Sequence, residues 1–112
     1  MHYHAHVYFD LQQLHQATQL HRALSHLPVA LGRIHTQAIG PHPKAMFQAV
    51  FTAADYPRLR NWLDAHRNDL DVLIHKETGD NWKDHTIHAE WLGNPQALNL
   101  EIFEGENAGG FT

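Results

Sequence analysis

Residues 1–10 read MHYHAHVYFD, and the alternation inside this stretch decides how the rest of the chain is read. Ala5, Val7 and Phe9 fall on one face of an extended segment, and His4, His6 and Tyr8 fall on the other. A period of two over this length marks a half-buried strand. A purification tag is a poorer account of the histidines, because tags are unbroken runs and this stretch interleaves a good apolar face.

Working outward, Asp10 is placed to cap a helix whose stripe is Leu11, Leu14, Leu20, Ala23, Leu24 and Leu27, ending before Pro28. Gly32 to Ile39 predicts a second strand and Ala45 to Thr52 a third. Between them Gly40-Pro41-His42-Pro43 is a turn, since neither proline can continue a ladder. A second helix is predicted from Asp55 to Arg67, burying Tyr56, Leu59, Trp62 and Leu63, and Leu70 to His75 reads as a fourth strand. Thr78-Gly79-Asp80 is a turn, DHTIHAEWLG (84–93) is open between a short helix and an irregular segment, and residues 95–104 suggest a final strand. Gly105 to Thr112 reads as a frayed tail.

The order β-α-β-β-α-β predicts an α+β, ferredoxin-like split β-α-β domain spanning residues 1–112, with both helices on one face of an antiparallel sheet. Such a sheet leaves its other face bare, to be closed by a second copy as a dimeric α+β barrel or to line a ligand cleft. A homodimer is the expectation.

Composition narrows the partners. With 112 residues, 43% hydrophobic and 18% charged, the chain suits one soluble core. A net charge of −4 offers no footprint for nucleic acid or an anionic membrane. The lack of cysteine removes disulfides, thiolate zinc sites and a thiol nucleophile together. No apolar run reaches the roughly 18 residues that a membrane helix needs, and no signal-peptide pattern opens the chain, so a cytoplasmic protein is expected. The unusual count is 12 histidines against 8 lysines plus arginines. Some of these, such as His15, His21, His26 and His66 in helical stretches, reflect a compositional preference for histidine.

Others are singled out by position. Pointing apolar residues at the helices leaves His4, His6 and Tyr8, then Arg33, His35 and Gln37, then Met46, Gln48 and Val50, then Asp71, Leu73 and His75 on the far face. In the second strand Ile34 and Ala38 take the inward positions. Strand order 4-1-3-2 makes the first and fourth strands neighbours, so His4, His6 and His75 cluster, with His35 farther across. Residues two apart on a strand face lie about 7 Å apart between Cα atoms, near enough to converge on one metal. Neutral imidazole suits iron(II), zinc, copper or nickel. A polar face binding nothing is equally compatible with the spacing alone.

Three stretches together, YHAHVYFD (3–10), GRIHTQAIGPHPKAMFQAVF (32–51) and LDVLIHKETGDNWKDHTIHAEWLG (70–93), resemble the small DOPA 4,5-dioxygenase-like proteins. The combination of H-x-H, G-P-H-P, L-I-H-x-x-T-G-D and D-H-T-x-x-A-x-W-L-G carries the resemblance, with Lys76 standing where proline is common in that family. It implies extradiol cleavage of DOPA or a related catechol with O2 at a non-haem metal, normally iron(II), with zinc or nickel as substitutes in purified protein. Carried over by motif, His4, His6, His42 and His75 are the implied metal ligands, and His85 matches the D-H-T histidine. The usual two-histidine, one-carboxylate set has no obvious third member here; Asp71, Asp84, Glu90 and Glu101 are candidates, and an all-histidine site is equally open. His35 or His85 suits the general base, and Arg33 or Lys83 a substrate carboxylate, Arg33 with the better geometry. The alternative function is a non-catalytic dimeric module that binds a transition metal or a small aromatic molecule.

Overall fold

The structure, a computed structural model, describes residues 1–103. Its elements in chain order are β1 (His2–Tyr8), α1 (Leu14–Leu24), β2 (Ala30–Leu31), β3 (Met46–Thr52), α2 (Tyr56–His66), β4 (Asp71–Lys76), α3 (Asn81–Asp84) and β5 (Glu90–Leu92). The sheet order is β2-β3-β1-β4-β5. This is the ferredoxin-like order 4-1-3-2, with a fifth strand added outside β4, and each pairing is antiparallel. The frayed-tail expectation for residues 105–112 lies outside the described residues. No helix among the described residues is long and apolar enough to cross a membrane.

The core lies where the alternation puts it. Ala5, Val7 and Phe9 of the first strand stretch meet Phe47, Ala49 and Phe51 from β3 and Val72 and Ile74 from β4, under the two long helices. Burying each of the larger of these side chains contributes about 1.5–3 kcal/mol of transfer free energy. Leu59 and Leu63, four apart on α2, are wholly buried. On α1 the buried residues are Ala17, Leu20 and Leu24, whereas Leu11, Leu14 and Ala23 are exposed. At about 100° per residue Ala17, Leu20 and Leu24 share one face of α1, and Leu14 and Ala23 fall about a quarter turn to either side of it; Leu11 lies before the helix, in the 3₁₀ turn at Leu11–Gln13. Asp10 lies before that turn, and its carboxylate pairs with Lys44 at 3.0 Å.

Three other expectations are corrected. The second strand is only Ala30–Leu31, continued by Gly32 N–H on the Gln48 carbonyl and by an isolated bridge between His35 and Met46. Ala38 is consequently exposed rather than in the core. Residues 95–104 supply no strand among their described members: β5 ends before Gly93, whose φ of +84° turns the chain, and a 3₁₀ turn follows at Leu100–Phe103. The far face of the sheet is not bare either. Trp91 and Leu98 pack over Tyr8, Met46 and Leu73, and Asn99 N–H reaches the Pro41 carbonyl at 2.7 Å. The chain's own segments thus cover part of the face for which a second copy was expected.

Candidate metal centre

Alternation on β1 sends His4, His6 and Tyr8 to the face opposite the helices, and antiparallel register then sets His4 directly across from His75. The Nε2 atoms of His6 and His75 are 3.1 Å apart. Nδ1 of His75 lies 2.8 Å from the Lys76 carbonyl, which can only accept, so Nδ1 carries the hydrogen and Nε2 is bare. One ring nitrogen each from His4, His6 and His75 fall within 4.8 Å of one another.

A second set, His6, His42 and His85, meets the same criterion and shares His6 with the first. His42 is delivered by the G-P-H-P turn, where Ile39 and His42 exchange backbone hydrogen bonds around Gly40 at φ +56°. Its Nδ1 is 2.7 Å from the Tyr8 hydroxyl. His85 follows α3, and its Nδ1 donates to the Asn81 carbonyl at 2.8 Å, which leaves its Nε2 bare as in His75. The His75 and His85 rings are 4.3 Å apart, and Phe103 closes over His85 at 4.9 Å.

The site is dry. His6, His42 and His75 are buried, and His4 is half-buried. Burial lowers the His42 pKa to about 4, helped by repulsion from His85, His75 and His35. His75 is likewise lowered to about 4, chiefly by burial. Burial, then His42 and His75, hold His6 well below the usual histidine range. His4 is lowered by burial against the opposing pull of Glu77. These imidazoles are therefore neutral near pH 7, the form in which they ligate metals.

The donor set fits a transition metal. Two nitrogens bound at about 2.1 Å and roughly at right angles sit about 3 Å apart, as His6 and His75 do. Nδ1 of His6 is buried without a hydrogen-bond partner among the described residues. Each backbone carbonyl that fixes His75 or His85 is the outer contact that orients a ligating imidazole.

The remaining expected residues are placed as follows. His35 joins neither set; it is half-buried and shares with His42, Arg33, Met46 and Gln48 the wall of a cleft of about 220 Å³. Arg33 is exposed at that wall. Lys83 is exposed, its backbone N–H on the Asp80 carboxylate. Among the suggested carboxylates, Asp71 holds Asn94 and Gln96, while Glu90 takes Tyr56 and Arg60. Glu101 is exposed, and the buried Asp84 accepts both the backbone N–H and the hydroxyl of Thr78. None of these four belongs to either histidine set.

Sequence reasoning missed two residues at the centre. Glu77 places Oε2 3.3 Å from His4 Nε2, and Tyr8, read merely as outward-facing, bonds His42. A weak signal existed for each: Glu77 follows His75 by two, and Tyr8 continues the face of His4 and His6. Trp91 stacks on Tyr8 at 5.8 Å and belongs to the apolar packing of this face.

Comparison with known proteins agrees with this architecture. Residues 3–102 match the Dopa 4,5-dioxygenase family. A DOPA 4,5-dioxygenase of Amanita muscaria is 27% identical over 88% of this chain and 47% of its own length. An uncharacterized 21.2 kDa protein of Botryotinia fuckeliana is 35% identical over 62% of this chain and 43% of its own. The chain thus spans less than half the length of these curated relatives. A crystal structure from Nostoc punctiforme, described as that of a "putative dioxygenase", superposes with a TM-score of 0.90 at 40% identity, covering 94% of this chain and 92% of that one. On the match across nearly its whole described length, this chain belongs to the Dopa 4,5-dioxygenase family.

Proposed function

We propose that this protein is an extradiol dioxygenase that opens the ring of DOPA or a related catechol, with His4, His6 and His75 holding a non-haem iron(II). The paired Nε2 atoms of His6 and His75, 3.1 Å apart and next to His4, carry this reading. Iron(II) bound there supplies the oxygen activation that ring cleavage needs. These histidines come from two adjacent strands, so the sheet's own hydrogen bonds pre-set the ligand geometry. In this reading His85, its ring 4.3 Å from that of His75, takes a catechol proton, with His35 on the cleft wall as the alternative base. Arg33, exposed at the same wall, holds a substrate carboxylate in this reading.

The test is anaerobic loading with iron(II), addition of a catechol panel, and admission of air. A yellow ring-opened product is expected. Iron-loaded protein that turns over none of the panel would end the proposal. The surplus of imidazoles favours a second reading, a module that saturates its metal and does no chemistry: His42 and His85 add to the three strand histidines. Retention of bound iron together with failure of catechol to perturb its spectrum supports that second reading.

A further inference from the structure

The five clustered histidines are not equivalent, and the difference lies in what each ring's other nitrogen touches. His75 and His85 set Nδ1 against backbone carbonyls, at 2.8 Å in both cases. A carbonyl has no hydrogen to give, so both rings present a bare Nε2. His42 sets Nδ1 against a hydroxyl, that of Tyr8 at 2.7 Å.

Tyr8 is wholly buried, packed with Met46 and Leu73 and stacked on Trp91. Its hydroxyl has no hydrogen-bond partner other than His42 among the described residues. Were Nδ1–H to donate to the phenol oxygen, the hydroxyl hydrogen would be buried with no acceptor. That arrangement is the costly one, because an unmet buried donor has lost its water with nothing in exchange. The phenol therefore donates to Nδ1, and the neutral imidazole carries its hydrogen on Nε2.

We propose that Tyr8 is a positioning residue that makes His42 a hydrogen-bond donor at the substrate cleft rather than a ligand of the metal. This departs from the ligand role that the G-P-H-P motif implies for His42. An Nε2 bearing hydrogen has no lone pair for a cation, but it complements a catecholate oxygen. His6 also donates from Nε2, to the bare Nε2 of His75, yet its Nδ1 meets no partner among the described residues and is free to take that hydrogen when a cation binds, whereas Nδ1 of His42 is held by the phenol. His42 is the residue common to the histidine cluster and the cleft walled by Arg33, His35 and Gln48, so a donor there meets a substrate that bridges the two. The functional meaning of that donor rests on the metal reading above, yet the tautomer is measurable without any metal.

Long-range ¹H–¹⁵N correlation spectra of metal-free, ¹⁵N-histidine-labelled protein report which nitrogen of each ring holds the hydrogen. The expected result is Nε2–H for His42 and Nδ1–H for His75 and His85, with Tyr8→Phe releasing His42 toward a mixture of tautomers. Nδ1–H for His42 in the unsubstituted protein overturns the proposal. Titration with zinc, a diamagnetic probe, should move the His75 signals while His42 keeps its Nε2 hydrogen; loss of that hydrogen on zinc binding also overturns it. His42→Ala should hold cobalt(II) with affinity near that of the parent, whereas His75→Ala should lose about tenfold or more. Equal losses in the two variants count against the proposal. A parent protein that binds neither zinc nor cobalt would instead end the metal reading, and the metal-free spectrum would still decide the role of Tyr8.

Discussion

At the scale of single residues, the histidines of the far face convert burial into a pH dependence whose sign is fixed. In the unfolded chain His42 and His75 titrate near 6.5, and in the fold both are lowered to about 4. Between those values the unfolded state binds protons that the native state refuses, so stability falls as pH drops through the window from 6.5 to 4. A histidine whose pKa falls by one on folding gives up about 1.4 kcal/mol once the pH lies below both values; because His75 is itself among the groups that lower His42, the two losses are shared and do not add in full. Urea midpoints of metal-free protein should therefore fall steeply between pH 7 and pH 5; equal midpoints at the two pH values would contradict buried neutral imidazoles. His4, His6 and His75 were legible beforehand because strand alternation and strand order are enough to bring them together. Tyr8 and Glu77 were not, since their roles depend on contacts with His42 and His4 that no periodicity encodes.

At the scale of elements, β1, β3, β4 and both long helices follow from hydrophobic period, while the loops over the far face do not. The G-P-H-P turn, the 3₁₀ turn at Leu100–Phe103 and the crossing bond from Asn99 to Pro41 are fixed by local backbone geometry and long-range pairing. Asp84 shows how such a loop is held. Fully buried, it accepts from Thr78 N at 2.9 Å and from Thr78 Oγ1 at 2.6 Å, pinning the turn after β4 onto the end of α3. Asp84→Ala would strand both donors and cost roughly 2–4 kcal/mol by thermal or denaturant unfolding. Because His85 is the next residue, its ring should lose the hold of the Asn81 carbonyl, read as a change in the His85 signals of long-range ¹H–¹⁵N spectra; a variant as stable as the parent would refute this account of the loop. Gly93 sets the turn after β5. At φ +84° it turns the chain out of β5, and an added Cβ would collide with the Asp71 carboxylate that holds Asn94 and Gln96. Gly93→Ala should cost about 1–3 kcal/mol through that strain, and hydrogen exchange in residues 94–99 should rise with it.

At the scale of the whole molecule, the far face poses a balance that a single-sided sheet does not. Its packing is small, Tyr8, Met46 and Leu73 under Trp91 and Leu98, and beside it lie five clustered imidazoles, three of them buried. The Nε2 atoms of His6 and His75, 3.1 Å apart and sharing one hydrogen, could each turn a lone pair to a cation once that hydrogen moves to the Nδ1 of His6, unpartnered among the described residues. Ligands that bind the native state alone add stability by mass action, about 2.7 kcal/mol at a free concentration 100 times the dissociation constant. For a domain of about 100 residues that corresponds to a rise in Tm on the order of 10 °C. Cobalt(II) or zinc should therefore raise the melting temperature of the parent by that order at pH 7, and His75→Ala should abolish most of the rise while keeping the sheet. The comparison belongs to the whole fold, because β1 brings His4 and His6 and β4 brings His75 to the same ion, with the loops carrying His42 and His85 packed around it. Stabilisation that survives His75→Ala in full would mean that the metal sits elsewhere, and the convergence of these strands would then need a different purpose.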